Sequence, residues 1–128
     1  MSLNEKMSKE YTERKLEKIK NYEWINPNSK EAFLEYVKFK QTERITSRRL
    51  SRILDLFYHI LKNFDYDFSK LTQKQANEIW NWIGSQKWKE WTKYTYSRIF
   101  KNFITWLNET YGLSIKTKEW KIPKPKTQ

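Results

Sequence analysis

Residues Thr46–Leu61 read TSRRLSRILDLFYHIL, and the periodicity of this stretch decides the architecture. On a helical wheel of about 100° per residue with Leu50 as reference, Ile53, Leu54, Phe57, Leu61 and Phe64 fall together on one face. Arg44, Arg48 and Arg52 fall opposite. The spacing predicts an amphipathic helix running to about Asn63, with Thr46 as its N-cap, because a threonine hydroxyl can accept an amide that the first turn leaves unpaired. Burying the apolar stripe turns a ladder of guanidinium groups outward. Four of the six arginines, Arg44, Arg48, Arg49 and Arg52, lie within nine residues. Each carries planar donors that match phosphate oxygens or a guanine edge. A solvated basic face with no partner is the plainer alternative. Few acids offset this ladder and a second basic helix follows, which favours nucleic acid.

Working outward, two glycines, three prolines and no sustained apolar-polar alternation predict an all-α domain of five helices. The first, over about residues 8–25, is highly charged; Met1, Ser2 and Leu3 before it read as an expression leader. The second starts near Asn28 or Ser29 as N-cap and runs to about Thr42, offering Phe33, Leu34, Tyr36 and Val37 to a core. After the loop Phe64 to Lys70, Thr72 and Gln75 spell a capping box, and Ala76, Ile79, Trp80 and Ile83 form a stripe ending near Gly84 and Ser85. Gln86 to Trp91 is a short connector carrying Lys87 and Lys89. Thr92 is expected to cap the last long helix, and Gly112 to end it. In that helix Tyr96, Phe100, Phe103 and Leu107 face inward, and Tyr94, Arg98, Lys101 and Thr105 face outward. The tail, Lys116 to Gln128, holds five lysines, two prolines and one glutamate, the composition of an extended linker.

Composition narrows the function. At 128 residues the chain is one ordinary domain. No apolar run is long enough for a membrane span or a secretory signal, so a cytoplasmic location is expected. Zero cysteines and the single His59 argue against disulfides, metal catalysis and any cofactor. Residues 1–43 carry nine Lys or Arg against eight acids, whereas residues 44–128 carry seventeen against seven. With a pI near 9.7, this excess favours a polyanionic partner. An anionic membrane is disfavoured, because the aromatics recur at core spacing.

The order of these elements resembles the core-binding, SAM-like N-terminal domain of the tyrosine recombinase or phage integrase family. The resemblance lies in the capped basic helix TSRRLSRILDLFYHIL, then LTQKQANEIWNWI from Leu71, then TKYTYSRIFKNFITWLNETYGL from Thr92, and KIPKPK from Lys121 as a linker. It implies a compact four-helix orthogonal bundle over residues 28–113, an extra charged helix over residues 1–27, and a basic linker over residues 114–128 toward an absent catalytic domain. It also implies double-stranded DNA as partner, with self-association on DNA through a longer parent. Carried over by position, the implied DNA contacts are Thr46, Ser47, Arg48, Arg49 and Arg52 on one helix, and Thr92, Lys93, Thr95, Arg98 and Lys101 on the other. Arg44, Lys87, Lys89 and Tyr94 join them from the basic face itself, while Lys93 falls toward the core side and ranks low. The family's catalytic set, including a His-x-x-Arg, is missing: the one histidine reads His59-Ile60-Leu61-Lys62. No catalysis by this chain and no small-molecule substrate are therefore expected.

Two other readings use the same residues. A helical protein-interaction module would set the basic face against an acidic partner. A single-strand binder would stack bases on Trp80, Trp82, Trp88, Trp91, Trp106 or Trp120, although Trp80 and Trp106 suit packing better. Asp65 and Asp67 read as loop and cap residues, and His59 as a packed residue.

Overall fold

The computed structural model describes residues 3–23 and 26–126. It holds five α-helices: α1 (Leu3–Lys20), α2 (Pro27–Thr42), α3 (Ser47–Asn63), α4 (Gln73–Ser85) and α5 (Glu90–Tyr111). A single 3-10 turn covers Phe68–Lys70, and no strand occurs among the described residues. The all-α expectation holds. The contacts divide the chain into two compact units, the first ending at Asp67 and the second starting at Phe68.

In the first unit α3 is the central element, with α1 and α2 both packed on it. Helix α1 starts at Leu3, ahead of the expected start near residue 8; Met1, Ser2, Trp24 and Ile25 lie outside the described residues. Its docking is specific. Thr12, only 4 % exposed, shares its hydroxyl between the carbonyls of Ser8 at 2.8 Å and Ser47 at 3.0 Å. Lys15 donates to Ser51 Oγ at 2.8 Å and pairs with Asp55 at 2.7 Å, and Ile19 is buried beneath them.

Helix α2 begins earlier than its sequence suggested. Asn26 is the N-cap, its Oδ1 accepting the Asn28 and Ser29 amides at 3.0 and 3.4 Å, and Pro27 takes the first helical position, where a missing N–H costs nothing. Ser29 is then released to donate to the Tyr66 carbonyl at 2.6 Å. Phe33, Tyr36 and Val37 are buried and Leu34 is half-buried. Thr46 caps α3 as expected. Its buried stripe is broader than a single face: Leu56 and Ile60 are fully covered, whereas Leu61 and Phe64 are only half-buried, because α3 is flanked by two helices.

In the second unit Thr72 and Gln75 form the expected capping box, and Ala76, Ile79 and Ile83 are buried, with Trp80 half-buried. Helix α5 starts at Glu90 and not after Thr92. Lys89 holds the cap position without a side-chain cap, and Glu90 favours the earlier start through the positive end of the helix dipole. Tyr96, Phe100, Phe103, Ile104 and Leu107 line its buried side. Gly112 ends it at φ +68°, a left-handed conformation that suits glycine.

The tail departs most from expectation. Asn108 clamps Ile115 through both its backbone groups, at 2.8 and 3.0 Å, and Gln73 does the same to Lys116, at 2.7 and 2.9 Å. Trp120, 5 % exposed, stacks on Trp80 and Phe100 with centroids 4.7 and 5.7 Å apart, and its indole N–H donates to Asn77 Oδ1 at 3.0 Å. As far as Trp120 the tail belongs to the core of this unit and is not a free linker.

Candidate nucleic-acid interface

The start of α3 is built by its cap. Thr46 Oγ1 accepts the Arg49 amide at 3.2 Å, which fixes the first turn and points Leu50, Ile53 and Leu54 into the core. Arg48, Arg49 and Arg52 are thereby exposed, and Arg44, just after α2, is exposed as well. Arg44 takes φ +56°, the left-handed conformation that glycine usually fills after a helix.

Among the described residues none of these four guanidinium groups makes an ion pair or a side-chain hydrogen bond. The neighbouring acids are already engaged. Glu43 pairs with Lys40 at 2.6 Å and Asp55 with Lys15 at 2.7 Å, so each acid flanking the ladder is matched by a lysine. The arginine charge is left uncompensated on the exposed surface at and just before the start of α3. Ser47 does not share it: half-buried, it sits at the α1 contact, where its carbonyl receives Thr12.

The α5 set is more dispersed. Lys87 and Lys89 are exposed ahead of the helix, and Arg98 is exposed with its guanidinium 5.4 Å from the centroid of half-buried Tyr94. Trp91, 46 % exposed, packs edge-on against Tyr94 at 5.5 Å. Thr92 and Thr95 are half-buried in the first two turns. Lys101, expected to face outward, is half-buried and donates to the Trp120 carbonyl at 3.3 Å, drawn inward by the docked tail. Lys93 donates to the Gly84 carbonyl at 3.1 Å, in keeping with its inward place on the wheel. No known protein family, curated protein or solved structure matches the chain.

Most tryptophans serve packing. Trp88 meets Trp82 and Tyr96 edge-on at 5.6 and 5.1 Å, Trp106 stacks on Phe103 at 6.0 Å, and Trp80 and Trp120 stack on each other. Among the described tryptophans Trp91 is the exception, an exposed ring between Lys89 and Arg98 in sequence. No described helix is long and apolar enough to cross a membrane. Sequence reasoning missed the compensation of Glu43 and Asp55. It also passed over Arg14, Lys18 and Tyr58, because the packing of α1 was not legible.

Proposed function

We propose that this chain is the DNA-binding, core-binding domain of an integrase-like site-specific tyrosine recombinase. It grips duplex DNA through the basic starts of α3 and α5 and carries no catalytic residues of its own. In this reading the helices belong to a SAM-like orthogonal bundle, and a longer parent supplies cleavage and rejoining. The observation that carries it is the set of four exposed arginines on and just before α3 with no intramolecular partner. Unpaired guanidinium groups cost little to desolvate against phosphates and release counterions on binding. The lysines position the domain on the backbone, and Arg48, Arg49 or Arg52 reads base edges, at about 1–3 kcal/mol for each bidentate pair.

The single-strand alternative lacks platforms, since the tryptophans other than Trp91 discussed above stack or pack on neighbouring rings. The test is duplex affinity against salt for the wild type and the Arg48→Ala/Arg52→Ala double variant. The double variant should bind more weakly and with a flatter salt dependence, the slope of log K against log salt falling by about 0.9 for each of the two arginines that contacts a phosphate. Unchanged affinity and slope would overturn the assignment.

A further inference from the structure

Helices α1 and α3 also flank an open cavity of about 380 Å³, lined by Tyr11, Arg14, Lys15, Lys18, Asp55 and Tyr58 among others. Apart from the apolar Ile19 and Leu54, every lining side chain but one is a donor. The one acid, Asp55, is held by Lys15 at 2.7 Å, so neither presents a free charge. Arg14 is exposed and makes no ion pair or side-chain hydrogen bond among the described residues; Glu10, Glu13 and Glu17 share its other flank.

Tyr58 is the focus of this cluster. Lys18 Nζ and Lys62 Nζ lie 4.6 and 4.2 Å from its ring centroid, and Tyr22 meets the ring edge-on at 6.1 Å. Burial acts to raise the phenol's pKa, but hydrogen bonds and positive charge from Lys18 and Lys62 outweigh it and lower it below its ordinary value. A phenol whose oxygen accepts from ammonium groups keeps its own O–H free to donate. A site offering two hydroxyl donors, a guanidinium and an ammonium, with its only carboxylate spent, matches a ligand that is all acceptor and bears more than one negative oxygen.

We propose that the α1–α3 cavity is a phosphate-binding site, in which Arg14 and Lys18 supply charge and Tyr11 and Tyr58 supply hydroxyl donors. The site uses none of Arg44, Arg48, Arg49 and Arg52, so it stands independently of the reading of the α3 ladder. The phosphate comes either from a nucleic-acid backbone or from a free phosphate ester.

Tyr58 reports on its own occupancy. Its ionisation is followed by ultraviolet absorbance as the difference between the wild type and Tyr58→Phe, in orthophosphate and in chloride at equal ionic strength. A bound anion offsets the ammonium groups, so phosphate raises the midpoint by about one pH unit in a saturable manner. Arg14→Gln keeps the chloride midpoint and the melting temperature, because Arg14 is exposed, but loses most of the phosphate response. The source is separated in the Arg48→Ala/Arg52→Ala background: a midpoint shift with short duplex DNA assigns the phosphate to a nucleic-acid backbone. A shift with orthophosphate and a mononucleotide, but not with duplex, assigns it to a free ester. Equal midpoints in phosphate and chloride, or an undiminished response in Arg14→Gln, would overturn the proposal.

Discussion

Replacing Trp120 with alanine tests whether the tail belongs to the folded unit. The indole is 5 % exposed, stacks against Trp80 and Phe100, and donates to Asn77 Oδ1 at 3.0 Å. Truncating a buried tryptophan to alanine costs about 3–5 kcal/mol. The lower part of that range applies here, because a segment near a chain end can relax into the space. Asn77 also keeps a partner, since Gln73 Nε2 still donates to its Oδ1 at 3.0 Å. A loss of about 3 kcal/mol is therefore expected for Trp120→Ala. Trp120→Phe, which keeps a stacking ring and removes the N–H, should lose only about 1 kcal/mol. Urea denaturation followed by circular dichroism measures both, with a smaller m-value for the alanine variant if the tail is already released before unfolding. A freely solvated linker would tolerate either change within about 0.5 kcal/mol. A loss that small for Trp120→Ala would refute the docking and return residues after Gly112 to linker status.

Two further perturbations probe the first unit. Arg44→Gly removes a side chain from a left-handed residue at φ +56°, relieving about 1–2 kcal/mol of backbone cost against about 0.4–1 kcal/mol of added unfolded-state entropy. The variant should melt higher yet bind duplex DNA more weakly; a lower melting temperature would show that the backbone there is not strained. The Tyr36 phenol is pushed above its ordinary value of 10.0 by burial and, secondarily, by the charge of Glu43. The folded state then holds a proton that the unfolded state releases, so the stabilisation is complete below pH 10.0 and falls as pH rises past it. Denaturant midpoints taken from about pH 9 to about pH 11 should fall for the wild type and fall less for Tyr36→Phe, and parallel curves would contradict the assignment.

What the sequence made legible follows from where the physics is local. Thr46 and Thr72 begin helices because a hydroxyl three residues from an unpaired amide is a local arrangement, readable from spacing. Thr92 has the same residue type but no such role, because Glu90 starts α5 earlier without any side-chain cap. Similarly, lysines and prolines made the tail look like a linker, while Ile115 and Trp120 among them decide its place through contacts with residues some 7 to 43 positions away. The outward face of α3 was readable from period alone. That few acids offset it was readable too, but not that Asp55 is engaged by Lys15, because that depends on α1, a helix that composition set apart as an extension.

That dependence links the two sites. Asp55 stands three residues after Arg52, close enough along the helix to pair with it, and i,i+3 pairs are ordinary helix chemistry. It pairs instead with Lys15, a residue that only the docking of α1 brings near. The same contact spends the only carboxylate lining the α1–α3 cavity. Helix α1 therefore does more than cover apolar surface: by engaging Asp55 it leaves Arg52 available on one side and a donor-lined cavity on the other. On the two proposals taken together, Lys15→Ala frees Asp55 and should weaken both duplex and orthophosphate binding, and unchanged binding of either in a titration would contradict the link.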